Sequence, residues 1–325
     1  MRIEFARQGV YLPDLDLWLD PTGPCRRVWL SDAHCDHAPH GLVYATAETV
    51  ELYKIRHGST GSLPEFRVVA YGQSWELSGA RLTAYPSAHL LGAAQLLIQW
   101  RGRRILYTGH IKLRQPLCGR QTETVQADHL IIESTYGLPI FHFLSGDEAR
   151  HRIVGFARGC LEEGVTPVLL AAELGCGQEV VHVLSEAGVP TAVHPDLARF
   201  LPFYGAAGFP APGWALYEGD TMPAQALVAA PRLHDVLGMR SRRIRVAYVS
   251  GWAMLDNARA RTGAEELIPY SSHADFQELM DLVRASGARE IDVVHGYTEA
   301  FARILTIEGW VARAGERQER SGVHG

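Results

Sequence analysis

The stretch Ser31-Asp32-Ala33-His34-Cys35-Asp36-His37 places two aspartates and two histidines within six residues. It follows Val28-Trp29-Leu30, an apolar run that reads as a buried strand. A loop of this composition at a strand end points several side chains into one cavity. Imidazole and carboxylate together suit zinc, manganese or iron.

The same grammar recurs outward along the chain. His89 lies in Pro86-Ser87-Ala88-His89-Leu90-Leu91-Gly92, a loop before the strand Gln95-Leu96-Leu97-Ile98-Gln99-Trp100. After the turn Arg101-Gly102-Arg103, the returning strand Arg104-Ile105-Leu106-Tyr107-Thr108 leads through Gly109 to His110. Glu133 ends the apolar run Leu130-Ile131-Ile132, and His295 ends Ile291-Asp292-Val293-Val294. His273 precedes a helix over 276–285, for which Asp275 is the expected N-cap. Each acid or imidazole therefore sits where a strand or helix meets a loop.

Composition bounds the class of protein. The chain has 325 residues, 47% hydrophobic and 21% charged, as in soluble globular proteins. A net charge of −5 gives no overall basic signal, so a polyanion site would be a local patch. Two runs qualify: Arg101, Arg103, Arg104, Lys112 and Arg114 around one hairpin, and Arg240, Arg242, Arg243 and Arg245 later on. No apolar run approaches a membrane span, and residues 1–7 lack a signal-peptide core. The five cysteines are odd in number and form no Cys-x-x-Cys, so they read as free thiols of a reducing cytoplasm.

Near residue 146 the texture changes. A helical period over 146–163 opens a β-α rhythm, with strands over 166–171, 191–194, 226–230 and 244–249 and a helix over 178–186. This is the signature of a small parallel sheet. Gly175-Cys176-Gly177 reads as the turn opening that helix rather than as a phosphate loop. Residues 205–213 read as a loop, and the tail 315–325 as frayed.

Taken jointly, Asp20, Asp32-Ala33-His34-Cys35-Asp36-His37, Ala88-His89-Leu90-Leu91-Gly92, Thr108-Gly109-His110, Glu133, His273 and His295 resemble the metallo-β-lactamase fold of the β-CASP nuclease group. Glu133-Ser134-Thr135-Tyr136-Gly137, Ser250-Gly251-Trp252 and His295-Gly296-Tyr297 look like the bacterial ligase-associated DNA exonucleases of that group. The resemblance implies an α/β protein of four αββα layers, over 1–145 and 266–325, interrupted by a β-CASP cap over 146–265. It implies a two-metal phosphodiesterase, with zinc ahead of manganese, whose hydroxide attacks phosphorus. Asp32, His34 and His89 would hold one metal and Asp36, His37 and His295 the other, with His110 at a seventh ligand position. Asp36, Glu133 and His273 form the expected catalytic set, Glu133 orienting a ligand or His273, and His273 serving as acid. Ser272, Lys112, Arg242 and Arg243 would contact substrate.

Two positions depart from the group's pattern: Asp32 stands where it has a histidine, and His110 where it has a bridging aspartate. Charge is conserved but geometry is not, so unequal metal sites are expected, the second one weak. The implied function is a DNA exonuclease of repair acting on single-stranded DNA, with a DNA ligase and a helicase as pathway partners. The alternatives are an RNA-processing nuclease and a weakened relative that only binds.

Overall fold

The structure, a computed structural model, describes residues 1–35, 38–58, 62–219, 225–231 and 243–315. Asp36, His37, Arg240 and Arg242 lie outside them, as does the expected tail beyond Gly315. Two units are distinguished by their internal contacts. The first comprises Met1–Arg114, Gly119–Pro139 and the described chain from His273; the second comprises Gln115–Cys118 and Ile140–Ser272.

The first unit opens with a six-stranded sheet in the order β1 to β6: Glu4–Ala6, Gly9–Leu12, Leu17–Leu19, Arg27–Trp29, Leu42–Thr46 and Glu65–Val69. Helix α1, Ala47–His57, starts where Thr46 Oγ1 accepts the Thr49 N–H. Val50 and Tyr53 of this helix pack with Val28 and Val43 on one face of the sheet. A second sheet begins with β7, Ser74–Leu77, β8, Ala80–Pro86, β9, Ala94–Trp100, β10, Arg103–Tyr107, and β11, His129–Ser134.

The second unit is built on six parallel strands: β12, Thr166–Leu170, β13, Thr191–Val193, β14, Trp214–Leu216, β15, Ala226–Ala229, β16, Ile244–Val249, and β17, Glu266–Ile268. Their order is β14-β13-β15-β12-β16-β17. Helices α2, Gly146–Glu162, and α3, Cys176–Glu186, cover one face through Ile153, Ala157, Val180 and Leu184. Ser145 and Glu148 form a capping box at the start of α2. Short helices α4, Pro195–Ala198, α5, Leu201–Ala206, and α6, Ala258–Thr262, complete it. Because α5 buries Leu201 and Tyr204, the loop expected from 205 begins after Ala206.

The chain then returns to the first unit. Helix α7, Phe276–Ser286, is capped by Asp275 and stopped by Gly287 at φ 68°. Strand β18, Glu290–Gly296, helix α8, Thr298–Ile307, and strand β19, Val311–Ala314, complete the second sheet in the order β19-β18-β11-β10-β9-β8-β7.

Four layers follow from which faces are buried. Leu17, Leu19 and Trp29 of the first sheet meet Leu82, Leu96, Ile98, Ile105 and Ile131 of the second. The opposite face of the second sheet, through Leu97, Leu106, Leu130 and Ile132, meets Leu279, Val283 and Phe301 of α7 and α8. Both faces of β9 and β11 are thus covered, which is why they read as continuous apolar runs rather than as alternation.

The unit boundaries fall at 139/140 and 272/273, whereas the sequence expected 145/146 and 265/266. The reason is pairing: β17 belongs to the second unit's sheet, and the Leu144 N–H donates to Pro269 O at 3.0 Å. Composition does not reveal that bond.

Candidate metal centre

Strand direction gathers the site. β10, β11 and β18 run parallel, and β8 reaches the same sense through two antiparallel steps. Their C-terminal ends meet at one edge and present His110, Glu133, His295 and His89. The Asp32 loop joins them where the Ala94 N–H donates to Ser31 O at 2.8 Å. Left-handed backbone marks this edge: Asp20, Ala88 and His295 have φ of 43°, 53° and 55°, and Gly109 has 55°. Such non-glycine conformations cost about 1–3 kcal/mol each and persist only where surroundings impose them.

Asp32, His34, His89 and His110 each offer one donor atom, all within 4.8 Å of one another. His34 Nδ1 and His89 Nε2 face each other at 2.8 Å. The Asp32 carboxylate accepts the His34 N–H at 2.7 Å through Oδ1 and the Ser31 hydroxyl at 3.2 Å through Oδ2. His110 Nδ1 lies 3.2 Å from Asp32 Oδ2 but out of line, and this buried nitrogen makes no hydrogen bond. Three imidazoles, a carboxylate and an unsatisfied buried nitrogen fit zinc, which takes such donors at about 2.0–2.2 Å.

Electrostatics agree with that fit at His89, while His110 is held as a proton-bearing partner of Asp32 until a metal displaces the proton. Burial pushes His89 well below the usual imidazole range, and the neighbouring His273 adds to it, so its ring is neutral and able to ligate. His295 is lowered to about 4 by burial and by His110. Burial also opposes charge on His110, but contact with Asp32, then Glu133 and Asp20, outweighs it and raises His110 to about 9. Asp20 is pushed up to about 6 by burial and by Asp32. It braces the loop by accepting the Ser31 N–H at 2.7 Å and the Tyr107 hydroxyl at 2.8 Å.

Glu133 is hydrogen-bonded to His273, one of the two groups it was expected to orient. Both carboxylate oxygens lie beside His273 Nδ1, at 2.9 and 3.0 Å. Glu133 is itself fixed by the Ile111 N–H at 2.8 Å and the Thr135 N–H at 3.3 Å. Burial would raise its carboxyl, yet His273 and His110 hold it well below the usual range. The His273 ring centroid is 4.4 Å from that of His89 and 4.8 Å from that of His110, and His110 is 5.3 Å from His295.

The expected basic track around the hairpin does not survive. Arg101, Arg103 and Arg104 flank the start of β10, while Lys112 and Arg114 lie past its other end, roughly 17 Å away at strand rise. Lys112 is fully buried, its backbone N–H bonded to Ser87 O, which removes it from any exposed phosphate track. Arg114 is paired with Glu278 and donates to His273 O at 2.8 Å. Its place is to hold the His273 backbone, a role its charge alone did not signal. Of the second run, Arg243 is exposed, and Arg245 is engaged by Glu163 at 3.1 Å and Glu265 at 3.4 Å. Ser272 is buried in the second unit.

Comparison with known proteins bears on this geometry. The family described as "Zn-dependent metallo-hydrolase RNA specificity domain" matches residues 261–314, the stretch that carries His273 and His295. "Endoribonuclease YSH1" of Yarrowia lipolytica is 32% identical over 150 residues, 46% of this chain and 18% of that protein. "Cleavage and polyadenylation specificity factor subunit 3" of Dictyostelium discoideum is 33% identical over 153 residues, 45% of this chain and 18% of that one. These matches bear out the resemblance to the metallo-β-lactamase fold of the β-CASP group. A "Probable DNA ligase" of Opitutus terrae is 30% identical over 312 residues, 93% of this chain but 30% of that protein. The chain therefore spans less than a third of the length of these curated relatives. A solved protein of unknown function from Enterococcus faecalis shares the fold at a TM-score of 0.62 and 13% identity, over 90% of this chain and 80% of that one.

Proposed function

We propose that the chain is a metal-dependent nucleic-acid phosphodiesterase, and that its substrate is single-stranded DNA, digested from an end. The observation that carries the chemistry is an imidazole, His273, fixed by a buried carboxylate beside the cluster of metal-binding groups. Zinc held among Asp32, His34, His89, His110 and His295 would supply the Lewis acid that polarises a phosphoryl oxygen and activates water.

The chain's own residues do the rest. Ionised Glu133 favours the proton on His273 Nδ1, so Nε2 is the nitrogen that hands a proton to the leaving oxygen. Arg114, bonded to His273 O, keeps that ring from drifting when charge develops nearby. Asp20 and Tyr107 hold the Asp32 loop in register with the sheet.

The DNA reading is supported by the Opitutus terrae match, which runs through nearly the whole chain and falls in a protein named for DNA ligation. A ligase is accordingly the proposed pathway partner; a helicase rests on the resemblance alone. RNA is the second reading, favoured by the RNA specificity domain and the two RNA-processing relatives, which cover less than half of the chain. Labelled single-stranded DNA and RNA, incubated with the protein and added zinc or manganese, separate them. DNA shortened from an end, with activity lost in His273→Ala, supports the proposal. Cleavage of RNA alone would install the second reading. Metal-loaded protein that binds either strand and cuts neither would make it a binding relative.

A further inference from the structure

We infer that Asp32 is the carboxylate shared between two metal positions, one on the His34/His89 side and one on the His110/His295 side. The inference rests on the metallo-hydrolase reading above and assigns a ligand role within it.

The donors sort into two pairs with Asp32 between them. His34 and His89 bring nitrogens to 2.8 Å of each other, and Asp32 Oδ1 is 3.7 Å from His34 Nδ1. His110 and His295 pack ring to ring at 5.3 Å, and Asp32 Oδ2 is 3.2 Å from His110 Nδ1. The two oxygens of one carboxylate thus face the two pairs. A span of up to 4.8 Å among the four clustered donors is wider than the roughly 3.3 Å edge of a zinc tetrahedron with ligands at 2.0–2.1 Å. A two-metal site sets its ions about 3.5–4 Å apart, a separation one carboxylate spans with an oxygen on each ion.

Chemistry selects the bridge. An imidazole ordinarily gives one nitrogen to one ion, whereas a carboxylate has an oxygen for each. Among the described acids of the site, Glu133 is committed to His273 and two backbone N–H groups, and Asp20 to Ser31 and Tyr107. Asp32 remains. The two loops are also built to nest: a Cβ on Gly109 would lie 2.3 Å from Ser31 Cβ, so only glycine lets His110 approach Asp32 this closely.

The test uses the full chain loaded with manganese(II), read by elemental analysis and by electron paramagnetic resonance, which detects exchange between bridged ions. Wild type is expected to hold two exchange-coupled ions. His110→Ala is expected to lose one ion and keep the other. Asp32→Asn keeps size and one oxygen but not the charge; it is expected to weaken both sites and abolish coupling. That loss should exceed the roughly 10–100-fold typical of removing an outer partner of a ligand. The double exchange Asp32→His with His110→Asp moves the carboxylate across the contact and is expected to restore two coupled ions. Coupling that persists in Asp32→Asn overturns the assignment. So does a wild type that holds one ion, or a double exchange no better than the sum of its single changes. Two coupled ions that depend on Asp32 in a protein that cuts no nucleic acid would sink the proposed function and leave this assignment standing.

Discussion

A buried glutamate that touches one imidazole with both oxygens, and is itself anchored by two backbone N–H groups, is placed to fix that ring. Glu133→Gln keeps the shape but loses the charge that favours a proton on His273 Nδ1. The expected result is a fall in kcat of roughly 10²–10⁴-fold, the range of general acid–base assistance, with metal content unchanged. A pH–rate profile whose alkaline limb is unmoved would show that His273 donates no proton in the reaction. Gly109 makes a second case at this scale. Its φ of 55° and the 2.3 Å approach to Ser31 Cβ leave no room for a side chain. Gly109→Ala should cost about 1–3 kcal/mol by overpacking and lower metal occupancy, and Ser31→Gly in the same chain should recover part of both. Equal thermal midpoints for wild type and Gly109→Ala would refute the close approach. At this scale the sequence was most informative about the histidines, because a strand end beside small residues constrains where a side chain can go. Lys112 and Arg114 misled, because a positive charge says nothing of which way a long stem turns. Lys112 turned inward, and Arg114 folded back onto Glu278.

Among elements, a single carboxylate ties three neighbouring strands together. Asp292 on β18 meets His129 Nε2 of β11 at 2.7 Å and the Arg313 guanidinium of β19. The register pairs His129 with Glu290 and Asp292 with Arg313, so the His129 contact is the diagonal one. Burial alone would raise the Asp292 carboxyl, but His129 and Arg313 reverse that and hold it below its ordinary range. A depressed acid stabilises the fold above its unfolded value, about 3.9, and the contribution is lost as pH falls through the lower folded value. Asp292→Asn should therefore cost about 1–3 kcal/mol near neutrality, the worth of hydrogen bonds to charged groups. The gap from wild type should close below about pH 4. Urea midpoints of metal-free protein at pH 7, 5 and 3.5 measure it; a gap that widens on acidification would reverse the assigned sign. Sequence periodicity located most long elements, since α2, α7, β9 and β16 carry clear apolar periods or runs. It missed β1, β14, β17 and β19, which are three or four residues long and lie at sheet edges, where one flank has no partner to demand an apolar pattern.

For the molecule as a whole, the described metal-binding groups come from one unit, and that unit is assembled from segments far apart in sequence. Asp32, His89, His110 and His295 reach their edge from β4, β8, β10 and β18, so an ion held among them cross-links strands of both sheets of the four-layer unit. A ligand that binds the folded state alone stabilises by RT ln(1 + [L]/Kd), about 4 kcal/mol at a thousandfold excess over Kd. The parallel sheet of the second unit has its own core of Ile153, Val180, Leu184, Val228 and Ala247 and contributes no group to the described cluster. Removing metal with a chelator should therefore raise amide hydrogen exchange at the ends of β4, β8, β10, β11 and β18. Protection in α2, α3, β12 and β16 should change by less than about the threefold expected of an indirect effect of roughly 0.6 kcal/mol at RT ln 3. The change should reverse on adding zinc back. Equal loss of protection in both units would mean that the metal stabilises the chain as one cooperative body, and the two-unit division would then describe packing without describing stability.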